Sequence, residues 1–278
     1  MSLRQITVLV DQGAASGLRA RAAADLAKRH GARLTGVFLT SEYVRQYMAA
    51  ESLAALPPDV VQQVLTGHEA AVIKIADEAR AQFEDACGQS GVAHDWRLVS
   101  GDSPQPFLAV ARRSDLTIVP RHAKACLSEH GLSAAQVALA SGGPVLITPD
   151  EDYAPPMGRR VLVAWDGGRE AARALNDAWP ILEQAESVHV LTVSPDGGAE
   201  PDGLLAALLE GHGIKAQMIT DPSQDESAVD VIERQIAEQG ADLLVMGLYG
   251  RPRLQELILG GVSRAMVAAG PVPIFASH

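Results

Sequence analysis

The sequence predicts a doubly wound α/β protein assembled from two copies of one unit. Three observations carry this reading. Short runs of Val, Ile and Leu alternate with stretches of helical period, the runs show no apolar–polar alternation, and the succession occurs twice in 278 residues. Continuous apolar strands are buried on both faces, as in parallel sheets covered by helices. Strand–helix alternation then implies right-handed βαβ units.

The elements follow in chain order. Ile6–Val10, Leu34–Leu39, Asp95–Val99, Leu116–Val119 and Pro144–Thr148 read as the strands of the first copy. Val161–Trp165, Val188–Val193, Lys215–Ile219, Leu243–Met246 and Val272–Ala276 repeat them. Gly17–His30, Glu69–Ala86, Gly168–Gln184 and Glu226–Gln239 read as helices, and a further helix is expected over Val262–Ala269. In the fourth, Val229, Ile232 and Ile236 form one stripe while Asp230, Glu233, Arg234 and Glu238 face away.

The copies can be overlaid. Val10-Asp11 falls on Trp165-Asp166 at an offset of 155. Ser114-Asp115-Leu116 falls on Ala241-Asp242-Leu243, and Gly143-Pro144-Val145 on Gly270-Pro271-Val272, both at 127. The change of 28 places one insertion in the first copy near residues 41–68, where Pro57-Pro58 interrupt a helical pattern. Asp150–Gly158 is polar and proline-bearing, like a linker. The expected domains are residues 1–150 and 159–278.

Composition narrows the classes. With 47% apolar and 21% charged residues, the chain has material for two cores. No run approaches the ~18 apolar residues of a membrane span. The opening MSLRQITVLVDQ lacks a signal-peptide pattern, so a soluble cytoplasmic protein is expected. Residues 1–150 carry 14 Lys+Arg against 15 Asp+Glu, and residues 151–278 carry 9 against 19. Neither half supplies the basic face that binds nucleic-acid phosphates. Cys87 and Cys126 make no disulfide framework, and Cys87 beside Phe83 and Ala86 reads as a core residue. His122, Cys126 and His130, spaced by four, would share a zinc-binding face if helical, but no fourth ligand accompanies them. They read as loop or surface residues, and no metal is expected.

The stretch that bears on chemistry is Met246–Met266. Gly247 and Gly250 lie in the turn after a buried strand, and Gly260-Gly261 open the final helix. Glycines there admit close backbone approach to a ligand, and a helix start presents N–H groups and a positive dipole end to a phosphate. In open α/β sheets ligands sit outside the carboxyl ends of the strands where strand order reverses. Neither the GxxxxGK[ST] nor the GxGxxG fingerprint is present. On the glycines alone, ordinary turns remain the commoner explanation. Asp166 on its own reads equally well as a helix N-cap.

The spacing Gly247-x2-Gly250-x9-Gly260, followed by Val262-Ser263, resembles the nucleotide loop of the universal stress protein family. The ending Gly270-Pro271-Val272-Pro273-Ile274 and the opening Val161-Leu162-Val163-Ala164-Trp165-Asp166-Gly167 resemble that family's last and first strands. The resemblance spans residues 159–278, with residues 4–150 as a degenerate copy, and so describes a tandem universal stress protein. It implies two five-stranded parallel sheets of order 3-2-1-4-5, of the adenine-nucleotide α-hydrolase-like type. It also implies ATP, with or without magnesium, as ligand of a stress-response or signalling module that is no enzyme, hydrolysing ATP weakly at most.

By the same resemblance, Asp166 with Ala164 and Trp165 would contact adenine and ribose, and Val193 would give an apolar contact to the base. Met246, Gly247, Tyr249 and Gly250 would line the ribose and phosphate turn. Gly260, Gly261, Val262 and Ser263 would offer N–H groups, and Ser263 a hydroxyl, to the phosphates. The chain departs from the family at Gly261, where Ser or Thr is preferred, and at Trp165, where a smaller residue stands. In the first copy the glycine positions become Pro120, Ala123, Ser133 and Ala134 at offset 127, so this half is expected to be a structural partner. Pairing through the terminal strands Pro144–Thr148 and Val272–Ala276 would cover exposed edges, and a homodimer is a further partner the resemblance allows. The alternative is a module of the same fold that binds proteins and no nucleotide, favoured by Gly261 and Trp165. An ATP-cleaving enzyme ranks last, for want of a positioned base.

Overall fold

The computed structural model describes residues 2–41, 57–128, 130–150, 153, 156–194, 202–222, 225–248 and 261–278. The first half runs β1 (Gln5–Val10), α1 (Ser16–His30), β2 (Arg33–Thr40), α2 (Pro58–Ser90), β3 (His94–Ser100), α3 (Gln105–Ala111), β4 (Leu116–Pro120), β5 (His122–Lys124), β6 (Gly131–Ser133), α4 (Ala134–Ser141) and β7 (Val145–Thr148). The second runs β8 (Arg160–Ala164), α5 (Arg169–Leu182), β9 (Ser187–Val193), α6 (Gly203–Gly211), β10 (Ala216–Asp221), α7 (Ala228–Gln239), β11 (Leu243–Gly247), α8 (Val262–Ala269) and β12 (Ile274–Ser277).

Ten of these strands form one sheet in the order β10-β9-β8-β11-β12-β7-β4-β1-β2-β3. Each half contributes the order 3-2-1-4-5, as expected from the sequence. Pairing is parallel within each half. Between the halves β12 runs antiparallel to β7, with Phe275 opposite Leu146. Helices α1, α2, α5 and α6 bury one face of the sheet through Leu26, Phe83, Leu175 and Leu209. Helices α3, α4, α7 and α8 bury the other through Phe107, Val137, Ile232 and Met266.

The repeated Asp-Leu motif has a structural cause. Asp115 accepts from the backbone N–H groups of Arg4 and Gln5 at 2.7 and 2.8 Å. Asp242 accepts from those of Gly158, Arg159 and Arg160 at 2.7, 2.9 and 3.1 Å. Each carboxylate thereby pins the entry of a central strand, at the end of the sheet opposite the glycine turn.

Two expectations are corrected. The helix expected from Glu69 starts earlier: Pro57 caps α2 and Pro58 opens it, where a missing N–H costs nothing. The 33-residue α2 therefore begins eleven residues before the expected Glu69, with residues 42–56 outside the described residues. The overlay at 127 holds at β4 and β11 but slips further on. Thr117 N–H donates to Pro144 O, whereas Leu244 N–H donates to Pro273 O, so Pro144 corresponds to Pro273 and not to Pro271. His122, Cys126 and His130, read as loop or surface residues, belong to neither a helix nor a shared face. They lie in a hairpin of β5 and β6, His122 and His130 exposed and Cys126 buried. Among the described residues no three His, Cys, Asp or Glu are placed to hold a metal, and no helix is long and apolar enough to cross a membrane. Cys87 is wholly buried in the core.

The end of α1 joins the halves. Arg29 Nη2 donates to Met157 O, and Gln184 Nε2 lies 3.3 Å from His30 Nδ1. Burial, with the Arg29 guanidinium beside it, lowers the His30 pKa from 6.5 to about 4. Between these values the unfolded chain takes up a proton that the folded chain refuses, so stability falls as pH drops through this window. Allowing for partial solvent screening, the loss is on the order of 1–2 kcal/mol. Denaturation midpoints at pH 4.5 and 7 measure it; in His30→Gln the difference between the two midpoints shrinks by that amount.

Candidate functional site

The sheet order reverses at β8 and β11, and Ala164, Trp165, Asp166, Met246 and Gly247 lie at the carboxyl ends of these strands. Ala164 ends β8 half-buried, and Trp165 N–H continues the ladder to Leu191 O at 2.8 Å. Ala164, Val193 and Val262 pack on the layer of α7 and α8. The Trp165 indole packs on the opposite layer, with α5 and α6. It therefore does not block the side on which α8 begins.

Asp166 is exposed, and its Oδ1 accepts from Gly168 N–H at 2.8 Å. Gly168, not Asp166, is the N-cap of α5. In the first half Asp11 makes the same turn, accepting from Gly13 N–H at 2.8 Å, but its Oδ2 also lies 2.7 Å from Arg19 Nη2. Arg19 is 1% exposed and donates through Nε to Leu9 O at 2.8 Å. Its counterpart at offset 155 is Ala174. Asp11 is thus neutralised by an internal cation, whereas Asp166 has no ion pair among the described residues.

Met246 is buried, and Gly247 ends β11 against the first turn of α5. A Cβ on Gly247 would lie 2.4 Å from Glu170 C and 2.5 Å from Ala171 N. This glycine is required by the packing of strand on helix, before any ligand is considered. Tyr249, Gly250 and Gly260 lie outside the described residues. Gly261 is the N-cap of α8 and makes no side-chain cap; Val262 is half-buried and Ser263 buried.

The first half treats the same place differently. Ser133 caps α4, its hydroxyl accepting from Gln136 N–H while the Gln136 side chain accepts from Ser133 N–H. The orphan donors of that helix start are satisfied internally. By N-cap position Ser133 corresponds to Gly261, which corrects the pairing of Ser133 with Gly260; the loop before α8 is one residue longer. The β5–β6 hairpin then covers the strand ends. Cys126 N–H donates to Leu39 O at 2.8 Å, Gln12 Nε2 donates to Cys126 Sγ at 2.9 Å, and Ala125 lies against Gly101. Leu39 stands two residues beyond the β1 contact Val37, as Val193 stands beyond the β8 contact Leu191. The first copy's equivalent of the apolar base contact is therefore roofed over and 2% exposed. A polar cleft of ≈ 440 Å³ does exist in this half, between the β1–α1 turn and α2, but it opens on the layer of α1 and α2.

Sequence reasoning missed Arg19, the hairpin and the Ser133 cap. The cap had a signal, since Ser133-Ala-Ala-Gln136 before an apolar run is a capping-box pattern. Arg19 had none: an arginine amid alanines on a helix reads as a solvated charge.

Strand order and paired helix layers define a doubly wound α/β fold, present twice. Residues 205–278 match the model of the Universal stress protein family. Over its whole length the chain is similar to a universal stress protein from Archaeoglobus fulgidus DSM 4304, at 17% identity and a TM-score of 0.69, covering 98% of this chain and 96% of that one. It is also similar to a functionally unknown protein from Pseudomonas aeruginosa PAO1, at 17% identity and a TM-score of 0.56, covering 99% and 92%. At this identity the likeness establishes the shared fold. No curated protein matches the chain.

Proposed function

We propose that this protein is an ATP-binding stress-response or signalling module of the cytoplasm, with its site in a domain of residues 159–278. Residues 1–150 form a second domain that binds no nucleotide and serves as its structural partner. The observation that carries this reading is the asymmetry between the corresponding strand ends and helix starts of the two halves. Among the described residues, one has a helix start at Gly261 without a side-chain cap and an aspartate, Asp166, without an ion pair. The other has a capped helix, a buried arginine and a hairpin lid. A helix start without a side-chain cap favours an anion, and an exposed carboxylate can accept from ribose hydroxyls or the adenine amino group. Ala164 and Val193 would flank the base, with Trp165 contributing its backbone and its indole on the other layer; Met246, Gly247, Tyr249 and Gly250 would flank the ribose; Gly260, Gly261, Val262 and Ser263 the phosphates, with or without magnesium. Binding and not turnover is the proposed activity. The terminal strands β7 and β12 would hold the two domains together.

The second reading, a protein-interaction module without nucleotide, draws on Gly247, whose lack of a side chain is explained by α5 alone. Isothermal titration with ATP and magnesium separates the two. One site per chain is expected. Two equal sites would contradict the role given to residues 1–150, and heats indistinguishable from buffer would leave the interaction module. Mass spectrometry of the purified chain for a retained adenine nucleotide is an independent check.

A further inference from the structure

The residue that follows β4 in the first half reaches the far end of the helix on which the proposed site is built. Arg121 Nη2 donates to the carbonyl of Gly270, 149 positions away in sequence. Gly270 is the C-cap of α8, and its N–H donates to Met266 O at 2.7 Å. The last turn of α8 contains no basic residue, so Arg121 brings a cation to the negative end of this helix dipole from the other half of the chain. Arg121 is itself anchored: its carbonyl accepts from Ala134 N–H at 2.9 Å, and the β5–β6 hairpin begins at the next residue. Helix α8 has eight residues, about 12 Å at 1.5 Å per residue, and a rod that short moves as one piece.

We propose that Arg121 is a positioning residue for the nucleotide site, through which the first half sets the placement of α8 and hence of its amide-bearing start at Gly261. The inference rests on the nucleotide reading above. The loop that has lost its glycines and folded into a hairpin thereby acquires a role, as a strut against the helix of the neighbouring half. A reciprocal contact supplies the control. Arg173 of α5 donates to Gly142 O, the C-cap of α4, at 3.1 Å, but α4 starts at the closed Ser133 cap and not at the site.

The test uses the full chain and two measurements: titration with ATP and magnesium, and amide hydrogen exchange of Ala265–Ala269 without nucleotide. In Arg121→Ala, ATP affinity is expected to fall about 3- to 10-fold, and exchange in α8 to quicken by a similar factor. Arg121→Lys should recover most of both, while Arg173→Ala should leave both within about twofold of the parent, the spread expected of a contact distant from the site. Unchanged affinity and unchanged exchange in Arg121→Ala would overturn the proposal. So would equal losses in Arg173→Ala, which would mark a general loosening between the halves. If the parent chain binds no ATP, the nucleotide reading fails separately and exchange alone decides: quickening confined to Arg121→Ala keeps the strut, and its absence removes it.

Discussion

On the proposed ATP site, replacing Gly261 by Asp is expected to lower ATP affinity at least about 100-fold, equivalent to ~2.7 kcal/mol, while the folded chain becomes slightly more stable. The two effects have opposite signs because one group causes both. Gly261 is the N-cap of α8, at φ −49° and ψ 116°, a conformation open to any L-residue, so the substitution strains no backbone. An aspartate there accepts from a first-turn N–H and places a negative charge at the positive dipole end, worth about 0.5 kcal/mol over glycine. The same carboxylate occupies the donors a phosphate would use and repels it, and like charges brought together cost several kcal/mol. Ser133 already does this with a neutral hydroxyl in the first half. Titration with ATP and chemical denaturation of one preparation measure both quantities. A variant that is more stable and still binds ATP at parental affinity would show that the phosphates do not sit at this helix.

Gly247→Ala destabilises the chain by about 3 kcal/mol, at the upper end of the usual cost of overpacking. The atoms a methyl group would meet are backbone, Glu170 C and Ala171 N, which cannot rotate aside as a side chain can. The first turn of α5 must therefore move away from β11, and with it the Gly167-Gly168 turn that holds Asp166. Nucleotide binding should weaken together with stability, in contrast to Gly261→Asp. Gly211→Ala at the end of α6, where a Cβ meets nothing within 4 Å, serves as the control and should be neutral or stabilising. Denaturant midpoints check both variants; a Gly247→Ala chain as stable as the parent would mean that α5 yields at little cost.

The contrast between these glycines shows what sequence patterning can and cannot convey. Gly247 belongs to the family-like spacing and Gly261 departs from it; the first is demanded by helix packing, while the second leaves a helix start without a side-chain cap. Spacing records that a side chain is missing; only the neighbouring atoms say why.

Much of the architecture was legible beforehand. Unalternating apolar runs such as Leu243–Met246 signal burial on both faces, and the duplicated Asp-Leu motif marked corresponding strands because the same carboxylate pins each. Strand order and the position of α8 followed from the family resemblance and from the period of the apolar residues. These are local or repeated properties, carried by neighbours in the chain. Tertiary structure alone decided the rest: Arg19 against Asp11, the hairpin over Leu39, the two-residue slip that aligns Pro144 with Pro273, and Arg121 on Gly270. Each depends on where a particular donor meets a particular acceptor after distant segments have packed, and a contact across 149 positions leaves no periodic trace in the sequence.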